Sequence, residues 1–374
     1  MRRNFVYRLY PTKTQASAMR WTLEECRWLY NHLLEKRKVA WEERQESLRL
    51  YDQQKYVTGL KTERSSLRVV NAQVIQNVAV RLDLAMHAFF RRVKAGETPG
   101  HPRFRGEGRY DSFAFPQAPS GCTLTGDRLS LAKIGTVRVV LHRPLEGTPK
   151  TCTIRRSSTG KWYAIFSCEV ADPLRLPASP ERAGIDVGLS TFATLSDGDT
   201  IASPRFFATD ERALGGAQRR LAKEAKGTPQ RKKRRKPVAR ILERIKFRRH
   251  DFTHQRARRV VNRYGVIAVE NLRLNQMGRD TRFAKGIHDA AWGQFSDALR
   301  EKAGCAARQF VAVNPAYTSR DCSGCGARQA LPLAVRVYHC PSCGLTLDRD
   351  LNAALNILGV GLHTLGLGPR SPRL

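Results

Sequence analysis

The sequence predicts an α+β chain of several domains: a small β-barrel interrupted by helices, then an α/β domain carrying an inserted metal-binding ribbon. Three observations predict it. Long segments with helical apolar spacing are followed by a series of short β-like runs, and these by buried-strand patterns separated by helices. Residues 171–181 (ADPLRLPASPE) hold three prolines without periodicity and read as a linker between the two halves. Finally, Cys322, Cys325, Cys340 and Cys343 make a CxxC–x14–CxxC array with the spacing of a four-thiolate zinc site.

Residues 3–10 (RNFVYRLY) read as a short strand ended by Pro11. From Gln15 to about Arg44, Met19, Leu23, Cys26, Tyr30 and Leu33 share one helical face. A second helix is expected from about Leu67 to Arg92, with Val74, Val78, Leu82, Ala85 and Phe89 as its apolar stripe. The Gly, Pro and Arg of residues 96–109 mark a boundary loop. Short strands follow at 112–116, 122–125, 128–131, 136–141, 151–155 and 162–170, with a hairpin turn at Ser158–Gly160. Together with residues 3–10 they suggest a barrel formed by 1–11 and 108–172, with 12–107 as a helical insertion.

Beyond the linker, Ala183–Val187 is a buried-strand pattern running into Gly188, and Phe192–Leu195 makes a second strand after it. Val266–Val269 makes a third, and the whole reads as an α/β domain over 173–315 and 347–374, with the cysteine ribbon at 316–346. Residues 231–249 carry eleven basic side chains, and Val238, Ile241, Leu242 and Ile245 fall at helical spacing. Pro237 suits a first helical turn, so an amphipathic helix with a cationic outer face is expected from there. Arg231, Lys232, Lys233, Arg234, Arg235, Lys236, Arg240 and Arg244 are its candidate nucleic-acid contacts. The Gly- and Pro-rich residues 359–374 read as a frayed tail.

The formal net charge of +33 makes a polyanion the expected partner, because phosphate contacts release counterions and reward Lys and Arg. No signal-peptide core or membrane-length apolar run is present, so a cytoplasmic protein acting at the nucleoid, with no membrane partner, is expected. In that reducing setting Cys26, Cys122, Cys152, Cys168 and Cys305 read as scattered core thiols.

Acidic residues are scarce, and three occupy element ends. Asp186 closes the strand in GIDVGL, Glu270 closes GVIAVE, and Asp350 opens the helical pattern of DRDLNAALNI. A carboxylate at the end of a buried strand is costly to desolvate and needs a partner. Each has a bland alternative: a turn cap for Asp186, an arginine pair for Glu270, a helix N-cap for Asp350. Strand–strand–helix order fits instead the RNase H-like arrangement for divalent metal, Mg²⁺ or Mn²⁺. Two such ions about 4 Å apart activate water and stabilise a leaving 3′ oxygen without a protein nucleophile. Asp348 competes for the third position, but a helix beginning there makes Asp348 the cap and turns Asp350 inward. The four-thiolate zinc, with a closed coordination sphere, is structural. Arg320, Arg328, Arg336, Tyr338 and His339 beside it either touch nucleic acid or support the ribbon.

Four segments carry a family resemblance: YRLYPTKTQ with CRWLYNHLL, PRFRGEGRYDSFAFPQ, GIDVGLSTFATLSDG, and NPAYTSRDCSGCG with YHCPSCGLTLDRDLNAALNI. They span nearly the whole chain, which resembles the TnpB family of transposon-encoded, RNA-guided DNA endonucleases, relatives of the type V CRISPR effectors. The resemblance implies a RuvC-type catalytic triad at Asp186, Glu270 and Asp350, and a zinc ribbon at the four cysteines. It implies that the barrel and helical insertion are wedge and recognition regions. It also implies a guide RNA from the element's end and a double-stranded DNA target beside a short motif, in a monomeric ribonucleoprotein. The alternatives are a guided regulator that binds without cutting, against which the intact triad speaks, and a RuvC-like transposition nuclease acting without RNA.

Overall fold

The computed structural model describes residues 1–172, 175–272, 277, 284–332 and 334–368. The chain divides into two compact units, Met1–Ala171 and Asp172–Leu374. Residues 173 and 174 of the expected linker and 369–374 of the expected tail lie outside the described residues.

In the first unit, β1 (Arg2–Tyr10) alternates as its sequence demands, with Phe5, Tyr7 and Leu9 fully buried. It pairs antiparallel with β7 (Trp162–Glu169) on one side and β5 (Gly135–Val140) on the other. The full order is β2–β6–β7–β1–β5–β4–β3, where β2 is Ser112–Phe115, β3 Cys122–Thr125, β4 Arg128–Leu131 and β6 Thr148–Arg156. The expected barrel is thus a nearly closed seven-stranded sheet; the one-turn helix α4 (Ala118–Gly121), numbered after the three inserted helices, links its edge strands.

Those inserted helices lie between β1 and β2. Helix α1 (Lys13–Arg44) starts at a capping box: the Thr12 hydroxyl accepts from the Gln15 amide while the Gln15 side chain accepts from the Thr12 amide. Its predicted stripe is buried throughout and packs, with Val74, Val78 and Leu82 of α3 (Ala72–Lys94), into one core with the sheet. Between them lies α2 (Leu50–Glu63), which the apolar spacing did not predict. Its inward face holds only Val57 and Leu60, and a glutamine fills the third position. Gln53 is buried because its amide donates to the Leu33 carbonyl and accepts from Arg37 Nε, each at 2.8 Å. The second helix therefore starts at Ala72 rather than Leu67, where a 3₁₀ turn (Ser65–Val69) stands instead.

The second unit is a five-stranded sheet in the order β10–β9–β8–β11–β12, covered on both faces. Strands β8 (Arg182–Val187), β9 (Thr191–Leu195) and β10 (Thr200–Ala202) form an antiparallel meander, while β11 (Val266–Glu270) and β12 (Gln309–Val313) run parallel to β8. One face carries Ile185, Ile267 and Val269 against Val260 and Val261 of α6 (Pro229–Arg263) and Phe295 and Leu299 of α8 (Trp292–Cys305). Two further helices, α5 (Phe206–Ala222) and α7 (Ala284–Ala290), pack on that side. The other face holds Ala268, Val311 and Val313 against Ile357 of α9 (Arg349–Thr364).

Glycine makes that second packing possible. A Cβ on Gly184 would lie 2.0 Å from the Ala354 carbonyl oxygen, and one on Gly361 2.5 Å from the Ala268 Cβ. Helix α9 therefore rests with its backbone directly on the backbone of β8 and on the Ala268 methyl of β11, which also corrects the expected tail: the helix continues through the glycines to Thr364. The expected start of α6 at Pro237 is corrected as well. Thr228 caps the helix by accepting from the Arg231 amide at 3.3 Å, Pro229 takes the first turn, and Pro237 sits in the interior. The expected stripe thins there, since Ile245 is buried but Leu242 is exposed.

Replacing Gly184 by alanine should lower the melting temperature of the protein by several degrees, since backbone rather than a movable side chain blocks the added methyl. Gly304→Ala, near the end of α8 with nothing within 4 Å of the added methyl, serves as the calorimetric comparison and should lose far less.

Candidate active site and cysteine cluster

The parallel register pairs Val269 with Ile185, so the next residues, Glu270 and Asp186, stand side by side on neighbouring strands about 4.8 Å apart. Both follow the alternation of Gly184 and Ala268, and therefore belong to the face that α9 covers. Asp350 opens α9 one turn before Ala354, the residue lying on Gly184. A Cβ on Gly188, at the turn after β8, would be 3.9 Å from Asp350 Oδ2. The strand ends and the helix N-terminus thus bring Asp186, Glu270 and Asp350 to one edge of the sheet.

Their electrostatics report that proximity. Burial, with the neighbouring charges of Glu270 and Asp350, raises the Asp186 carboxyl well above the usual carboxylate range. Burial also raises Glu270, partly offset by the Thr318 hydroxyl, which donates to Glu270 Oε1 at 2.5 Å. Asp350 is raised by burial and by Asp348, against the pull of Arg336 and Arg349. Asp348 itself is the N-cap, its Oδ1 accepting from the amides of Asp350 at 2.8 Å and Leu351 at 3.1 Å. That division of labour matches the expectation from the helix start. Of the bland alternatives, Glu270 accepts from a threonine and, among the described residues, from no arginine.

Sequence reasoning missed Thr318 and the closeness of Arg336, whose Nη1 lies 3.7 Å from Asp350 Oδ1. The only sequence signal for either was its place beside the cysteines.

Those cysteines converge. Among the described residues they are the one group of three or more Cys, His, Asp or Glu side chains whose ligand atoms all lie within 4.8 Å of one another. Cys322 and Cys343 have their sulfurs 3.7 Å apart, and Cys325 and Cys340 theirs 3.6 Å apart. A tetrahedral ion with metal–sulfur bonds of about 2.3 Å requires sulfurs about 3.8 Å apart, so donor set and spacing both fit zinc. Burial pushes the Cys340 thiol up, but the amides of Cys343 and Ser342 and the neighbouring thiols hold it down, while neighbouring thiols push Cys343 up, as four thiols crowded into one cluster must.

Strands β13 (Val337–His339) and β14 (Thr346–Asp348) bracket Cys340 and Cys343, and β14 runs directly into α9. Two buried asparagines join them from the helix side. Asn352 donates to the Asp321 carbonyl at 2.8 Å and accepts from the Ser323 amide at 2.9 Å. Asn356 donates to the Thr318 and Asp321 carbonyls at 2.8 and 2.7 Å. Tyr338 is fully buried and Arg328 forks onto Asp321 at 2.6 and 2.8 Å while lying over the Tyr317 ring, so both support the ribbon. Arg320 contributes its carbonyl to the Tyr338 hydroxyl, and His339 Nδ1 pairs with Thr346 Oγ1 at 2.9 Å.

The basic candidates on α6 divide into two groups. Arg231 donates to the carbonyls of Leu221 and Glu224, Arg234 lies 3.5 Å from Glu224, and Arg244 forks onto buried Asp210 at 2.5 and 3.1 Å. These three fasten α6 to α5 and the segment after it. Lys232, Lys233, Arg235, Lys236 and Arg240 are exposed on the helix surface.

Three sequence-family models match this architecture: OrfB_IS605, described as "Probable transposase", at residues 165–280; "Cas12f1-like, TNB domain" at 292–357; and "Helix-turn-helix domain" at 1–46. The last covers a strand and one long helix here. The chain is 34% identical to the "Putative RNA-guided DNA endonuclease" of Streptomyces pristinaespiralis, over 98% of this chain and 91% of that one. The chain belongs to the TnpB family. A "TnpB-like protein L79" of Acanthamoeba polyphaga mimivirus is 24% identical over 59% of this chain and 45% of its own. Among solved structures, the Cas12f1 chain of a Cas12f1–sgRNA–target DNA complex shares the fold, with a TM-score of 0.60 and 15% identity over 92% of this TnpB-family chain and 83% of that chain.

Two measurements test the site. Cys340→Ser should lose stoichiometric zinc by elemental analysis and melt at lower temperature, because a four-thiolate site supplies folding energy directly. In buffer free of magnesium and manganese, Asp186→Asn should melt a few degrees above the unsubstituted protein at pH 8. The sign follows from the raised carboxyl: the folded state prefers the protonated form, so stability falls as pH rises through the raised value, and the amide escapes that loss. The difference should shrink toward pH 4.

Proposed function

We propose that the protein is an RNA-guided, divalent-metal-dependent DNA endonuclease of a transposable element, cutting with Asp186, Glu270 and Asp350. The family carries the first part: its members include proteins named as RNA-guided DNA endonucleases. The observation that carries the second is the effect of the Glu270 and Asp350 charges on buried Asp186, three carboxylates from separate elements at one sheet edge. Like charges so placed are costly unless a cation belongs among them.

The strand order β10–β9–β8–β11–β12, with two strands parallel to β8, supports an RNase H-like, RuvC-type nuclease over 173–315 and 347–374. The cysteine cluster supports a zinc ribbon over 316–346 that touches target nucleic acid. On this reading the sheet of 1–11 and 108–172 is the wedge and 12–107 the recognition domain. The partners are a guide RNA from the element's end and double-stranded target DNA beside a short motif, in a monomeric ribonucleoprotein. Sequence reading falls mostly to base pairing, and the exposed lysines and arginines of α6 contact phosphates.

Asp186, Glu270 and Asp350 would hold magnesium or manganese, which supplies an activated water and charge stabilisation for the leaving 3′ oxygen. The chain's own residues arrange the rest. Thr318 fixes the rotamer of Glu270 through its hydroxyl. Asp348, as the cap, satisfies the first helical amides in place of Asp350, whose Oδ2 lies by the turn after β8, and the positive end of the α9 dipole favours charge at that spot. Arg336 brings a cation to the carboxylate edge, where it can meet a scissile phosphate.

Purified with its copurifying RNA, Asp186→Ala should reduce cleavage of a matched double-stranded target to background while RNA and DNA affinity stay within about twofold. Lost affinity would make Asp186 a structural residue. Sequencing that RNA should give one discrete species from the element's end; random cellular RNA would favour the unguided alternative.

A further inference from the structure

The first unit contains a cleft that cleavage does not use. The apolar stripe of α3 is buried through Leu82, but its helical continuation, Met86 and Phe89, emerges beside the end of α1. There a cleft of about 760 Å³ opens between Trp41 on α1 and Phe89 and Phe90 on α3. His101 closes one end, its ring edge-on to Phe89 at 5.2 Å. Trp41 and Phe90 are each 54% exposed, so two broad aromatic faces stand in water at its mouth.

Its surroundings restrict the occupant. From Met86 to Arg105 the chain carries five arginines and lysines against one acid, Glu97. Across the mouth, Lys38 Nζ lies 5.5 Å from the Phe104 ring. The opposite wall holds two acids, Glu42 and Glu46, and Glu46 is engaged by Arg44 Nε at 3.2 Å. Flat aromatic walls under a cationic rim suit a ligand with planar apolar faces on an anionic backbone. Single-stranded nucleic acid has that chemistry: its bases stack on Phe, Trp and His while Lys and Arg track its phosphates. An apolar peptide or a second copy of this +33 chain would leave the rim cations unanswered.

We propose that this cleft stacks unpaired nucleobases of single-stranded RNA between Trp41 and Phe90, an inference that rests on the RNA-guided reading. Stacking contributes affinity without counterion release, which separates it from the phosphate contacts. Trp41→Ala with Phe90→Ala should weaken binding of a single-stranded RNA oligomer by about tenfold, while the slope of log K against log salt stays unchanged. Trp41→Phe, which restores a ring, should recover most of that loss. Irradiating the unsubstituted protein with an oligomer containing 4-thiouridine should crosslink peptides spanning 38–48 or 86–101. Both substituted side chains are more than half exposed, and an unchanged melting temperature confirms the fold. Equal affinity in the double variant, or crosslinks only elsewhere, overturns the proposal while leaving RNA guidance intact; an unsubstituted protein that binds no RNA overturns the guided reading itself. A concentration-dependent dimer lost in the double variant would assign the cleft to a second copy and likewise overturn it.

Discussion

The second unit depends on one contact, the seating of helix α9 directly on strands β8 and β11. Gly184 and Gly361 remove the side chains that would hold helix and sheet at the usual distance, and the helix backbone fills the space. This close seating holds the first helical turn beyond the strand ends, where the charges of Asp350 and Glu270 reach Asp186. The strand register fixes two of the carboxylates relative to each other, and the helix contact fixes the third. All three are raised by burial, so the folded chain carries an electrostatic cost at this edge that a binding cation offsets.

A second constraint acts on the same helix from its outer side. Asn352 and Asn356 tie α9 to the backbone at Thr318, Asp321 and Ser323, next to Cys322. Thr318 in turn donates to Glu270. The cysteine cluster and the carboxylates are therefore linked through one short set of hydrogen bonds, although four sulfurs and three carboxylates favour different metals. The ribbon is more than a neighbour of the carboxylate edge; part of that edge is built from it.

Most of this was legible in the sequence where a pattern was strong and local. The alternation of β1, the stripes of α1 and α3, the six strands of the sheet and the four cysteines each follow from spacing alone. The carboxylates were legible because charge at the end of an apolar strand is rare, and Asp348 announced the helix start. What escaped depended on partners distant in sequence. Helix α2 buries Gln53, and only Arg37 and the Leu33 carbonyl make that glutamine acceptable inside. The start of α6 was misplaced because two prolines compete for it, and Thr228 supplies the cap at the first. Residues 359–364 looked like a tail because their glycines resemble turn residues, whereas Gly361 marks a close helix–sheet approach. Among the basic candidates of α6, charge gave no means of telling that Arg231, Arg234 and Arg244 fasten the helix to α5 and the segment after it.

The place of β1 has a consequence for how the chain is made. Residues 2–10 occupy the middle of the seven-stranded sheet, between strands ending at Val140 and at Glu169. During synthesis this strand must wait while more than a hundred further residues leave the ribosome before either neighbour exists. Helices α1 to α3, whose contacts are nearer in sequence, can collapse in that interval. The inserted helices are thus free to fold on a nascent chain before the sheet that brackets them in sequence can close around β1.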